Sequence, residues 1–213
     1  MTVTRAIGIG CNKIIALIVQ GLALSKIHPN VLTFLGLLIN GVAAALLAAG
    51  QFFAAGLVII GAGLFDMVDG RLARETNQVT RFGAFFDSVI DRYSDLVLLM
   101  GLLVYYASVN RFFYVVLTAV VMTGSVMVSY TRARAECIIP KCKAGFMERP
   151  ERLVLLILGA LFNRMAPVLW VIAVLSNITV IHRIIFTHQE IRRLEEAQTR
   201  PAPLRDSVSQ LVR

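Results

Sequence analysis

Apolar residues run almost unbroken through six stretches of the chain, about 29–49, 52–74, 82–107, 111–134, 150–163 and 167–187, separated by short polar breaks. Runs of about 20 residues match a hydrocarbon core about 30 Å thick, so the pattern predicts six membrane-spanning helices. The fifth run is short and needs the charged turn before it, or a tilt. Residues 5–24 alternate apolar with small or polar positions and carry Lys13 and Gln20, the pattern of an amphipathic helix lying in the interface. Ser25–Asn30 breaks that helix, and Pro29 suits the first turn of the first span. The Glu75–Arg81 turn is short, which predicts spans two and three as antiparallel neighbours. Cys137–Met147 is the least regular connection, followed by Pro150 where a first helical turn tolerates proline. From Thr199 the chain is polar and is expected to be loosely ordered. Without repeats or a second domain, the reading is an all-α integral membrane protein: a membrane domain over 1–198 and a tail over 199–213.

Composition agrees. With 57% hydrophobic residues and a mean hydropathy of +0.74, the chain is unlike a soluble domain. The start MTVTRAIGIGCNK lacks the short apolar core and cleavage site of a secretory leader. Of the 21 basic residues, all but Arg111 and Arg164 fall on one side of a six-span topology; Arg183 and the arginines after it are assigned to the tail. The positive-inside rule makes that side, with both termini, cytoplasmic in a multi-pass cell-membrane protein. The net charge of +8 then reflects topology and contact with lipid headgroups or anions, since no nucleic-acid module is present. Cys11, Cys137 and Cys142 lack the paired spacing of a zinc site and read as reduced thiols. His28, His182 and His188 suggest interfacial positions.

Against this background four aspartates stand out: Asp66 and Asp69 in GLFDMVDGRLAR, Asp87 and Asp91 in GAFFDSVIDR. A carboxylate at mid-bilayer costs roughly 2.5–3.5 kcal/mol on insertion scales, so each has to face a protein interior or a wet cavity. Spacings of three and four put each pair on one helix face. Asp66 and Asp91 both lie about 12 Å from their helix ends at the helical rise, so antiparallel helices bring the four together near the cytoplasmic mouth. Carboxylate oxygens are hard ligands for Mg²⁺ or Mn²⁺, and four of them can hold two ions about 4 Å apart for in-line phosphoryl displacement. Arg74 can neutralise a phosphate, while Gly70, Ala73 and Gly83 leave room for a substrate against the backbone. The purely structural alternative pairs the aspartates with Arg71, Arg74, Arg81 and Arg92.

Asp66-Met-Val-Asp69-Gly70-Arg-Leu-Ala73-Arg74, then eight residues to Gly83, three to Asp87 and three to Asp91, resembles the signature of the CDP-alcohol phosphotransferases, D-x2-D-G-x2-A-R-x8-G-x3-D-x3-D, at every fixed position. The resemblance extends over roughly 25–190. It implies six membrane helices, a homodimer, and transfer of a substituted phosphate from a CDP-linked lipid such as CDP-diacylglycerol to a hydroxyl, releasing CMP. It also implies that Asp66, Asp69, Asp87 and Asp91 bind two divalent ions, that Asp91 is the general base, and that Gly70, Arg74 and Thr80 contact the nucleotide. Pro29, Asn30, Val31 and Leu32 resemble the segment that meets the CDP-lipid headgroup. Thr80 reads equally well as a helix N-cap, and Pro29–Leu32 as plain helix entry.

The acceptor is addressed by the arginines of SYTRARAE and GFMERPER, more than one diphosphate needs. Guanidinium matches phosphate oxygens bidentately, so Arg132, Arg149 and Arg152, with Lys141 or Lys143, are the candidates to hold a phosphorylated acceptor. Anchoring to anionic headgroups is the bland alternative. These strings look most like the branch that makes phosphatidylinositol phosphate or its archaeal-lipid counterpart from inositol phosphate. The turn Asn77–Asp87 is also similar to phosphatidylglycerophosphate synthases, whose acceptor is glycerol 3-phosphate. A reading of another class is a small divalent-cation transporter; against it, the aspartates occupy one end of the span and Leu96–Leu103 is nearly all apolar.

Overall fold

The computed structural model describes residues 29–75 and 80–199, and the side chains of these except 29, 67–75 and 197–199. The expected interfacial helix over 5–24 and the tail from 200 lie outside the described residues, as do the side chains of Pro29, Asp69, Gly70, Ala73 and Arg74. Within them there are six helices and no strand: α1 Pro29–Ala48, α2 Phe52–Glu75, α3 Arg81–Ser108, α4 Phe112–Glu136, α5 Arg149–Leu161 and α6 Met165–Thr199. Three are long and apolar enough to cross a membrane by length and composition, over Asn30–Ala48, Phe112–Glu136 and Met165–Glu196; Phe52–Asp66 is a shorter apolar helical stretch. Charges interrupt the apolar runs of α2 and α3, whereas α5 is short, at 13 residues.

The helix ends follow local chemistry. Thr80 Oγ1 accepts a hydrogen bond from Gly83 N–H at 2.9 Å, so Thr80 caps α3, the structural one of its two expected roles. Pro150 sits in the first turn of α5, where the Glu148 N–H donates to Glu151 Oε2 at 3.0 Å. Gly50, Asn110 and Asn163, one in each of the turns α1–α2, α3–α4 and α5–α6, adopt positive φ, the left-handed conformation that closes a helix.

Packing departs from the expectation in one respect. Each helix packs chiefly against two others, in the closed order α1–α2–α5–α6–α4–α3–α1. Spans two and three are therefore not direct neighbours among the described residues. The reason is small residues on α1 and α3. A Cβ at Gly101 would stand 2.3 Å from the Ala44 carbonyl oxygen, so these helices meet backbone to backbone. That contact draws α1 against α3, while α2 packs on α1 and on α5. Away from the aspartates the ring is filled by a single apolar core with members from every helix, including Leu47, Ile59, Leu98, Leu102, Val121, Leu156, Leu169 and Ile172. At the opposite end the interior turns polar.

Candidate functional site

That polar end is assembled around one guanidinium. Arg149, the first residue of α5, donates from Nη2 to Asp66 Oδ2 of α2 at 2.8 Å and stands with Nη1 2.8 Å from Asp91 Oδ1 of α3. The expected equal depth of Asp66 and Asp91 is thus realised, although among the described residues the helices bearing them each pack chiefly on other helices. The side chains of Arg149, Asp66 and Asp91 are only 24%, 21% and 19% exposed, so the pairs are partly shielded from water. Burial disfavours a lone charged guanidinium, and here Asp66 and Asp91 supply the opposite charge at 2.8 Å each. The purely structural alternative paired the aspartates with Arg71, Arg74, Arg81 and Arg92; the side chains of Arg71 and Arg74 lie outside the described ones. Among the described side chains the cation paired with Asp66 and Asp91 comes from α5, and Arg92 donates to Ser88 Oγ of its own helix at 2.6 Å. Asp87 is exposed at the mouth, one turn before Asp91.

A fifth aspartate, not singled out in the sequence, extends the cluster inward. Asp95 is 4% exposed, one turn beyond Asp91 on the same face of α3. Its Oδ2 accepts from Arg152 Nη2, and its Oδ1 stands 3.6 Å from Arg149 Nε. Arg152 is itself buried at 3% exposure. The expected acceptor residues divide accordingly. Arg132, Arg149 and Arg152 line one cavity of about 120 Å³ together with Asp91, Arg92, Asp95, Glu148 and Arg183. Lys141 and Lys143 are exposed on the connecting loop and do not line it.

Arg183 corrects the sequence reading, which placed it in the basic tail. It lies within α6 and is 1% exposed. Its Nε donates to the Ala144 carbonyl at 2.8 Å, its Nη1 to the Val128 carbonyl, and its Nη2 to Glu148 Oε1 at 2.8 Å. Glu148 also accepts from Arg132 Nη1 at 2.7 Å. The irregular segment before α5 is thereby fastened to α6, aided by the Met147 N–H donating to Thr179 Oγ1 at 3.1 Å. At Gly145, φ is +111° and a Cβ would stand 2.7 Å from Thr179 Cγ2 and 2.8 Å from Arg183 Nε, so only glycine lets the loop lie this close. Cys142 is buried in the same segment and Cys137 is exposed, both as free thiols.

Among the described residues no three carboxylate, imidazole or thiol side chains are gathered closely enough to hold a metal. The donor set still fits a hard divalent cation: anionic oxygens from two helices already converge on one cationic group, Arg149. Gly36 of α1 keeps the approach to Asp66 open, since even a Cβ there would stand 3.1 Å from Asp66 Oδ1. Every helix of the ring thus bears on this end: α1 by Gly36, α2 by Asp66, α3 by Asp91 and Asp95, α4 by Arg132, α5 by Arg149 and Arg152, α6 by Arg183.

The chain belongs to the CDP-alcohol phosphatidyltransferase family, whose model matches residues 26–189. It is 38% identical over 180 residues to archaetidylinositol phosphate synthase of Pyrococcus horikoshii, covering 82% of this chain and 89% of the relative. It is also 38% identical over 178 residues to phosphatidylinositol phosphate synthase of Mycobacterium tuberculosis, covering 78% and 82%. A crystal structure of the M. tuberculosis phosphatidylinositol phosphate synthase with CDP-DAG bound matches with a TM-score of 0.76 at 34% identity, over 82% of this chain and 94% of that one. Another, in complex with manganese and citrate, matches with the same TM-score and identity over 82% and 88%. The chain is therefore an enzyme of phospholipid biosynthesis, and the cation-transporter reading gives way to it.

Proposed function

We propose that this chain transfers the phosphatidyl group of a CDP-diacylglycerol-type lipid, ester or ether, to a hydroxyl of inositol phosphate, with release of CMP. The observation that carries the choice of acceptor is the arginine-lined cavity beside Asp91. Among the described residues, Arg152 lines that cavity, and its Nε and Nη1, buried behind the cavity wall, lack any hydrogen-bond partner. Buried guanidinium donors are costly to leave unpaired, and a phosphate monoester supplies the oxygens they lack. The printed names of the relatives point to the same acceptor.

In this reading the acceptor phosphate is held by Arg152, Arg149 and Arg132, which aims its hydroxyl toward Asp91. Asp91 accepts the hydroxyl proton while the oxygen attacks the phosphorus bearing the diacylglycerol. The bond from that phosphorus to the oxygen bridging to cytidylate breaks, and CMP departs with the electron pair. Arg149 has to release Asp91 first, because a carboxylate pinned by a guanidinium is a poor base. Asp66, Asp69, Asp87 and Asp91 would hold two divalent ions, Mg²⁺ or Mn²⁺, which supply charge neutralisation for the diphosphate and its leaving group. Gly70, Ala73, Arg74, Thr80 and Gly83, with Pro29–Leu32, would form the donor side. Six spans, both termini and the site on the cytoplasmic side of the cell membrane, and a homodimer complete the proposal.

The test is release of CMP from CDP-diacylglycerol by the purified chain with Mg²⁺, comparing inositol phosphate with glycerol 3-phosphate. Inositol phosphate is expected to support turnover and to outcompete glycerol 3-phosphate; preference for the latter would overturn the acceptor assignment. Asp91→Asn is expected to abolish release, and an active Asp91→Asn would remove Asp91 from the role of base.

A further inference from the structure

Asp95 stands outside the aspartate signature, yet it is the most deeply buried of the described aspartates in the cluster. A buried carboxylate paired with a buried guanidinium is seldom the stable choice, since apolar side chains of similar volume often do as well or better. Asp95 and Arg152 both line the cavity, and only one edge of Arg152 is used by the pair. Nη2 is committed to Asp95, while Nε and Nη1 have no partner among the described residues. A guanidinium is planar and rigid, so fixing one nitrogen by a charged hydrogen bond orients the other two.

We propose that Asp95 is a positioning residue for the acceptor site: it holds Arg152 by one edge so that the remaining donors meet the acceptor phosphate. The inference rests on the proposed use of a phosphorylated acceptor. Asp95 does not touch the reacting atoms; it acts through Arg152. The Arg149 Nε, 3.6 Å from the other oxygen of Asp95, is beyond hydrogen-bond length and secondary to this role. It does offer Asp95 a second cation, which is why removing Arg152 does not leave the carboxylate isolated. Without Asp95, the Arg152 side chain is free to turn its donors elsewhere, and the acceptor loses oriented contacts while the CDP-lipid keeps its own.

The experiment is a double-mutant cycle in the full chain: wild type, Asp95→Asn, Arg152→Gln and the two combined. Initial rates of CMP release are measured against inositol phosphate at saturating CDP-diacylglycerol, and against the lipid at saturating acceptor, with thermal melting in detergent alongside. Asp95→Asn is expected to raise the acceptor KM about tenfold or more, the scale of one charge-assisted contact. The donor KM is expected to stay within about twofold, by the same arithmetic. The combined variant is expected to match Arg152→Gln alone. A fall in kcat with both KM values unchanged would overturn the proposal, as would acceptor effects that multiply in the combined variant. If Asp95→Asn does not fold, the combined variant, free of the unpaired buried charge, is compared with Arg152→Gln and decides the matter by the same criterion. The wild-type arm is separate: failure to turn over any phosphorylated acceptor would sink the functional reading itself, whereas wild-type turnover with an unaltered Asp95→Asn acceptor KM sinks only the role of Asp95.

Discussion

Arg149 occupies the place between Asp66 and Asp91 that a divalent cation would be drawn to, so metal affinity should rise when it is removed. The perturbation is Arg149→Gln. Two contacts of 2.8 Å link the guanidinium to the two carboxylates, and an incoming cation has to displace them. Hydrogen bonds to charged groups contribute about 1.5–3 kcal/mol net. With the three side chains 24%, 21% and 19% exposed, water weakens the pair, and about that amount serves for both contacts together. Released, it corresponds to roughly tenfold to a hundredfold tighter metal binding. The assay is titration of the metal-free protein in detergent with Mn²⁺, free ion being followed by electron paramagnetic resonance. Arg149→Lys separates bridging from charge alone. An ammonium keeps the charge but lacks the fork that spans two carboxylates, so its affinity should lie between those of wild type and Arg149→Gln. The same Arg149→Gln protein should show a higher acceptor KM, so one substitution moves metal and acceptor affinity in opposite directions. Mn²⁺ binding no tighter than wild type in Arg149→Gln would refute the competition, and lysine indistinguishable from arginine would reduce it to simple charge.

Two further outcomes follow from the packing. Gly101→Ala places a methyl group where the Ala44 carbonyl oxygen is 2.3 Å away, so α1 and α3 have to part; a loss of about 1–3 kcal/mol, read as a lower melting temperature in detergent, is expected for such overpacking. Glu148→Gln removes the charge that accepts from both Arg132 at 2.7 Å and Arg183 at 2.8 Å, leaving the two guanidinium groups one neutral amide oxygen to share. It should destabilise by about 1.5–3 kcal/mol and raise the acceptor KM, and a melting temperature equal to wild type would argue against the fastening role of Glu148.

The helices were legible because a bilayer-length apolar run is a strong signal, and the six runs coincide with α1 to α6 to within a few residues except at the C-terminal end of α6, which continues to Thr199. The matching depth of Asp66 and Asp91 was legible from residue counts alone. The order of helices around the ring was not. A short turn between α2 and α3 suggests contact, but contact depends on which faces carry small residues, and the Gly101–Ala44 approach is visible only in three dimensions. Asp95 and Arg183 were within reach of the same reasoning that found the signature aspartates. Each is a charge inside an apolar run, in SDLVLLM and TVIHRIIF, and such a charge needs a partner or a wet cavity. The signature ends at Asp91 and does not include Asp95, although a spacing of four places both on one face. The positive-inside rule treats every arginine as a loop residue, and Arg183 is not one. Reading each lone charge in an apolar run as half of a pair matches Asp95 of α3 with Arg152 of α5, and Arg183 of α6 with Glu148 just before α5. The basic side chains gathered in this way mark an anion pocket beside the aspartates.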